Sequence, residues 1–115
     1  MPEKAPITVN VEIKPTATIV APVGEVGYHE APTLQQAIKS AYDKKPKKLI
    51  VNLTSVSYMA TPGLATLVEA LQIGKKTSTP LVLCGLTDRV RAVFEIARLN
   101  TVFKITPDLD QALTI

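Results

Sequence analysis

Apolar residues occupy every second position from Ile7 to Ile13, then crowd together from Ala17 to Val23. The alternation predicts a half-exposed strand and the denser run a second one, joined through Lys14-Pro15 as a hairpin. Gly24 to His29 follows neither period and reads as a loop. From Pro32 the period lengthens. Leu34, Ala37, Ile38, Ala41 and Tyr42 stand at i, i+3, i+4, i+7 and i+8, the spacing of one helix face behind an opening proline. Lys44-Lys45-Pro46-Lys47-Lys48 closes that helix and reads as a solvated turn. Leu49-Ile50-Val51-Asn52-Leu53 is then nearly all apolar, as a parallel strand covered on both faces should be.

The stretch Val56 to Leu67, VSYMATPGLATL, leads from the end of this apolar segment through Ala60-Thr61-Pro62-Gly63 into a second helix striped by Leu64, Leu67, Val68 and Leu71. Thr61 is a good N-cap type and Pro62 suits the first helical position. Ala65, Ala70 and Ile73 widen the apolar surface, so this helix is either covered on two sides or offers a small face to a partner. Pro80 to Gly85 gives another strand. Thr87 or Asp88 caps a third helix, with Val90, Val93, Phe94 and Ala97 inward and Arg89, Arg91, Glu95 and Arg98 outward. Val102 to Ile105 reads as a short final strand, and Asp108 with Gln111 opens a last helical turn as a capping box. Strands alternating with helices predict an α/β fold with right-handed crossovers. We expect one domain over residues 7–115, with a mixed, mostly parallel sheet of about five strands and about four helices. Residues 1–6 read as a disordered tail.

Composition narrows the function classes. The 115 residues suffice for about one core, and 46% hydrophobic with 20% charged residues is ordinary for a globular chain. No window approaches the roughly 18 uninterrupted apolar residues of a membrane span, and MPEKAP is no signal peptide, so a cytoplasmic location is expected. A net charge of +3 with three Tyr and two Phe offers no basic, aromatic face for nucleic acid. Cys84, the one cysteine, lies in an apolar run and reads as a buried, inert thiol. The one histidine, His29, has no nucleophile in a familiar motif, and no HExxH, GxSxG, GxxxxGK[ST] or GxGxxG occurs. The carboxylates are scattered. The residues therefore suggest no catalysis, no metal site and no cofactor.

What remains is Thr61, a hydroxyl at the mouth of a helix whose unpaired N–H groups and positive dipole end welcome an anion. Two roles fit it: helix cap, or acceptor of a modifying anion.

The chain resembles the STAS domain as found in bacterial anti-sigma-factor antagonists. Gly24-Glu25-Val26 with Ala31-Pro32 and Leu34 is similar to the family's GELD…AP.L region, and Val51-Asn52-Leu53-Thr54-Ser55-Val56 to its VDLS.V strand. Tyr58-Met59-Ala60-Thr61-Pro62-Gly63-Leu64 is similar to FMDSSGL, and Leu99 to Phe103 to a late GL…F segment. The resemblance implies a partner-switching regulator of transcription in a stress response. Thr61 would be the phosphoacceptor for a serine/threonine kinase that is also the anti-sigma factor, and a phosphatase would reset it. The partner-binding surface would comprise Glu25, Gly27, Tyr28 and His29 with Ala60, Pro62, Gly63 and Leu64.

Three departures stand out. Ala60 replaces the family's common Asp before the acceptor, Pro62 its common Ser, Thr or Ala after it, and Asn52 the strand's usual Asp. Ala60 and Pro62 favour an alternative, an unphosphorylated STAS scaffold or accessory subunit of a larger complex such as a lipid-transport system. A nucleotide-binding domain is a further rival that rests on fold analogy alone. The apolar breadth of the second helix makes a monomer or a weak dimer the expected state.

Overall fold

The computed structural model describes residues 7–115, so the expected tail over 1–6 lies outside the described residues. The hairpin forms as expected: β1 (Thr8–Ile13) pairs antiparallel with β2 (Thr18–Val26). β2 is longer than its sequence suggested, because Gly24 to Val26 belong to the strand and not to a loop. They are recruited by β4 (Val56–Met59), a four-residue strand parallel to the end of β2. The sheet thus has six strands where about five were expected.

β2 changes partner along its length. Thr18 to Val20 pair with β3 (Leu49–Asn52), and Gly24 to Val26 pair with β4. Pro22 falls between the two pairings, where a missing N–H leaves no ladder bond unmade. Gly24, at φ +109°, opens the register shift that re-aims the strand, a conformation that favours glycine. The main sheet continues through β5 (Leu81–Cys84) to β6 (Lys104–Thr106), all parallel, in the order β1-β2-β3-β5-β6.

Helices α1 (Ala31–Asp43), α2 (Thr61–Thr77) and α3 (Asp88–Ile96) cover one face. They enclose Val20, Leu49, Val51, Leu81 and Leu83 with Leu34, Ile38, Leu67, Val90 and Phe94. α4 (Leu109–Thr114) covers the other face over Ile19, Ile50, Val82 and Cys84. Continuous apolar strands are what two covered faces require. Thr87 caps α3 by accepting from the Val90 N–H at 3.4 Å, and Asp108 caps α4 by accepting from the Gln111 N–H at 2.9 Å. α3 stops at Ile96, so Ala97 is the C-cap and exposed, not inward as its spacing suggested.

One lysine of the expected solvated turn is not solvated. Lys48 is buried, and its Nζ donates to the carbonyls of Ala112 at 2.7 Å, Leu113 at 3.1 Å and Ile115 at 2.8 Å. It closes the carbonyl end of α4, where a cation also meets the negative end of the helix dipole. Lys44, Lys45 and Lys47 are exposed as expected.

Two buried acids set a pH dependence. Burial pushes the Cys84 thiol up to about 11, helped by the charge of Asp108, and burial pushes the Tyr42 phenol up to about 12. Tyr42 donates its hydroxyl to the Ala70 carbonyl at 2.8 Å, tying α1 to α2. Both groups hold their protons more tightly folded than unfolded. Their contribution is complete below the unfolded thiol's value of about 9 and is lost as pH rises through 9–11 and then 10–12. Urea unfolding is expected to give a stability about 1–2 kcal/mol lower at pH 10 than at pH 8. Cys84→Ala should remove most of that slope, whatever it does to the baseline.

Candidate functional site

The site is assembled where β4 hands over to α2. Residues 57 to 60 alternate exposed Ser57, half-buried Tyr58, buried Met59 and half-buried Ala60, so Met59 anchors the segment in the core. The Ala60 N–H donates to the Val26 carbonyl at 2.8 Å, fixing this segment to the end of β2. The Ala60 carbonyl then accepts from the N–H groups of Gly63 at 2.9 Å and Leu64 at 3.2 Å. Ala60, extended at φ −85° and ψ 170°, is therefore the N-cap.

This corrects the expected cap. Thr61 is the first helical residue, and no hydrogen bond engages its hydroxyl among the described residues. The shift follows from the bond to Val26, which holds Ala60 extended and makes its carbonyl the first helical acceptor. Thr61 is exposed. A threonine that is neither a cap nor buried keeps its hydroxyl available for chemistry.

Gly63 has a packing role. A Cβ built on it would lie 2.6 Å from Met59 Cγ and 3.0 Å from Val26 Cγ1, so only glycine lets α2 start this close to β2 and β4. Gly63 and Leu64 are both buried and hold the site from beneath. Pro62 is half-buried beside them.

Opposite lies the turn from β2 to α1. Glu25 is exposed and stands in register with Tyr58. The Gly27 N–H donates to Glu30 Oε1 at 2.9 Å, and the Gly27 carbonyl accepts from the Ala31 N–H at 3.0 Å, which makes the turn compact. Tyr28 is 72% exposed, and His29 is exposed beside it. Tyr28 and Pro62, both singled out from sequence, line one groove of about 370 Å³ between α1 and α2, together with Ala31, Pro32, Gln35, Ala65, Thr66 and Glu69. Gln35 Nε2 donates to Glu69 Oε1 at 2.7 Å across it.

Sequence reasoning missed Gln35 and Glu69, because only the packing of α1 on α2 brings them together with Ala65, which the apolar breadth of the second helix had already marked. It also missed Arg89, whose guanidinium carbon lies 5.3 Å from the centre of the Tyr58 ring. The Thr87 hydroxyl donates to the Val56 carbonyl at 3.1 Å and holds the start of α3 against β4. Asn52, where the resemblance led us to expect Asp, accepts at Oδ1 from the N–H of Thr54 at 3.2 Å and from its hydroxyl at 2.5 Å. It closes a local turn after β3. No group of three or more His, Cys, Asp or Glu side chains among the described residues is placed to hold a metal ion.

The family model of the STAS domain covers residues 8–112. The chain belongs to the STAS domain family. It is 32% identical over 102 residues to the anti-sigma-B factor antagonist of Listeria monocytogenes, covering 86% of this chain and 90% of that one. An anti-sigma factor antagonist from Mycobacterium paratuberculosis superposes with a TM-score of 0.83 and 29% identity, over 99% of this STAS domain and 97% of the other. The phosphorylated form of the Bacillus cell fate determinant SpoIIAA has the same fold, with a TM-score of 0.71 at 16% identity over 92% and 96% of the two chains. Among the described residues of the STAS domain, no helix is long and apolar enough to cross a membrane.

Proposed function

We propose that this STAS domain is an anti-sigma-factor antagonist that works by binding, switched by phosphorylation of Thr61. The observation that carries the reading is the exposed Thr61 hydroxyl, left without a hydrogen bond among the described residues at the joint between β4 and α2. In the proposed step Thr61 Oγ1 attacks the γ-phosphorus of ATP held by a partner kinase. A phosphorus–oxygen bond forms, the bond to ADP breaks, and a base on the kinase takes the hydroxyl proton. The kinase is also the anti-sigma factor, and a phosphatase hydrolyses the phosphothreonine to restore the hydroxyl.

The docking surface in this reading is Glu25, Tyr28, His29, Ala60 and Pro62, extended along the groove by Gln35 and Glu69. Gly27, Gly63 and Leu64 hold it in shape. A phosphate here adds about −1.5 to −2 charges at the centre of that surface. The start of α2 offsets part of this by roughly 0.3–1 kcal/mol, whereas a docked partner must strip the phosphate of water. The fold tolerates the modification and the complex does not.

The test is to incubate the protein with ATP and each histidine-kinase-like ATPase encoded nearest to it, then map the modification by mass spectrometry. A gain of about 80 Da on Thr61, absent from Thr61→Ala, is expected for one added phosphate. Failure of every kinase encoded nearby to label Thr61 overturns the switch.

One observation favours the alternative of an unphosphorylated scaffold. Pro62 has no N–H and the Gly63 N–H is already donated to Ala60, so the first turn offers a phosphate few donors. Under that alternative the domain binds its partner constitutively and Thr61→Glu changes little.

A further inference from the structure

The outer edge of β1 has no pairing partner among the described residues: β1 ends the sheet and pairs with β2 alone. The Lys14 N–H donates to the Ala17 carbonyl at 2.9 Å, closing the ladder of the hairpin. Backbone direction alternates along an antiparallel strand, so Thr8, Asn10, Glu12 and Lys14 address β2. The N–H and C=O groups of Val9, Val11 and Ile13 therefore point outward, with no partner among the described residues.

The same three residues carry the apolar side chains. Val9 packs against the core under α1, but Val11 is 47% and Ile13 60% exposed on that same face. Beside them, Val9, Pro32, Thr33, Gln36, Ala37 and Ser40 line a groove of about 480 Å³ between β1 and α1. Edge strands are usually blunted by an inward charge or a proline, and here Glu12 and Lys14 face the opposite side and pair with each other at 3.3 Å. Among the described residues no charge or proline of β1 guards the face toward α1.

We propose that the occupant of this edge is a second copy of the same chain, paired antiparallel through β1 about a two-fold axis at Val11. The strand's own pattern selects this register. Apolar side chains meet apolar side chains only when odd-numbered residues pair with odd, and those are the residues whose backbone groups point outward. With Val11 on the axis, Val9 of each copy faces Ile13 of the other. All three outward residues then complete their ladder bonds, and each Ile13 is carried toward the groove beside the partner copy's Val9. Placing Asn10 on the axis would instead set Ile13 against Ile7, which precedes the strand and is buried. Such an isologous contact closes on itself and joins two sheets edge to edge on the β1 side of α1, whereas the proposed kinase-facing groove lies on its α2 side and Pro32 borders both.

An edge contact of this length falls below the interface of a tight dimer, so we expect a dissociation constant on the order of 0.1 mM. Sedimentation equilibrium of the full chain from about 10 µM to about 1 mM should show the average mass rising from 12.4 kDa toward twice that value. Val11→Lys and Ile13→Lys, at exposed positions the fold does not need, should each weaken association at least about tenfold. Glu12→Gln, on the opposite face, should leave it within about twofold. A bifunctional maleimide should join two copies of the Val11→Cys variant and not the wild type, whose Cys84 is buried. A constant monomer mass over the whole range, or a dimer indifferent to Val11→Lys, overturns the proposal.

Discussion

Thr61→Glu is expected to weaken the proposed complex with an anti-sigma-factor kinase about a hundredfold, while Thr61→Ala stays within a few-fold of wild type. The two variants differ in charge and not in backbone, because Thr61 is exposed, makes no cap bond and sits in the first turn of α2, where an acidic side chain is compatible with the helix dipole. Neither should destabilise the fold by more than about 0.5 kcal/mol, as is usual for exposed positions. The effect thus belongs to the interface. A carboxylate in the middle of a docking surface must be dehydrated when the partner closes over it, and a hundredfold loss corresponds to only about 2.7 kcal/mol, well inside the penalty for an unpaired buried charge. Titration calorimetry against the purified kinase reads both numbers. Equal affinities for the two variants would remove Thr61 from the interface altogether.

Gly63→Val is expected to lower the unfolding free energy by about 3 kcal/mol or more. The Cβ alone would lie 2.6 Å from Met59 Cγ and 3.0 Å from Val26 Cγ1. Met59 and Val26 are both fully buried, so neither neighbour has room to retreat. Overpacking of this kind costs roughly 1–3 kcal/mol for the first carbon, and two γ-carbons add to it. Gly63→Ala should fall at the lower end, because a helix propensity gain of up to about 1 kcal/mol offsets part of the clash. The relief available to the chain is to push the start of α2 away from β4, which displaces Thr61 as well. Urea unfolding gives the stability change. The kinase titration of the same variants should show affinity falling in the order glycine, alanine, valine even where the protein remains folded.

Much of this was legible in the sequence wherever the signal was local. The alternation in β1, the helical spacing behind Pro32 and the all-apolar run of β3 each describe their own element, and Asp108 with Gln111 announces α4 within one turn. β4 escaped because four residues carry too little periodicity, and the strand exists through pairing with a distant segment. For the same reason Gly24 to Val26 looked like loop. Thr61 looked like a cap because its residue type suits one; the Val26 carbonyl, 34 positions upstream, moves that duty to Ala60. Lys48 was grouped with its neighbours by composition, though its three carbonyl partners lie more than 60 residues away. The Gln35–Glu69 bridge and the Arg89–Tyr58 stack are likewise tertiary events with no local mark. Pro62 was legible as a helix start, but its place in a binding surface, like that of Tyr28, came only from the family resemblance.

The division of β2 at Pro22 has a dynamic consequence. β3, β5 and β6 form a ladder that β4 never joins; β4 is tied into the sheet through Gly24, Glu25 and Val26 alone. Opening of residues 56–60 breaks those few pairings and uncovers Val56 and Met59, but leaves the parallel ladder closed. The segment that presents Thr61 is thus joined to the sheet by a short ladder of its own, separate from the one that holds β3, β5 and β6 together. An enzyme approaching the Thr61 hydroxyl therefore meets a short surface segment whose backbone is held by Val26 and whose footing is the buried Met59.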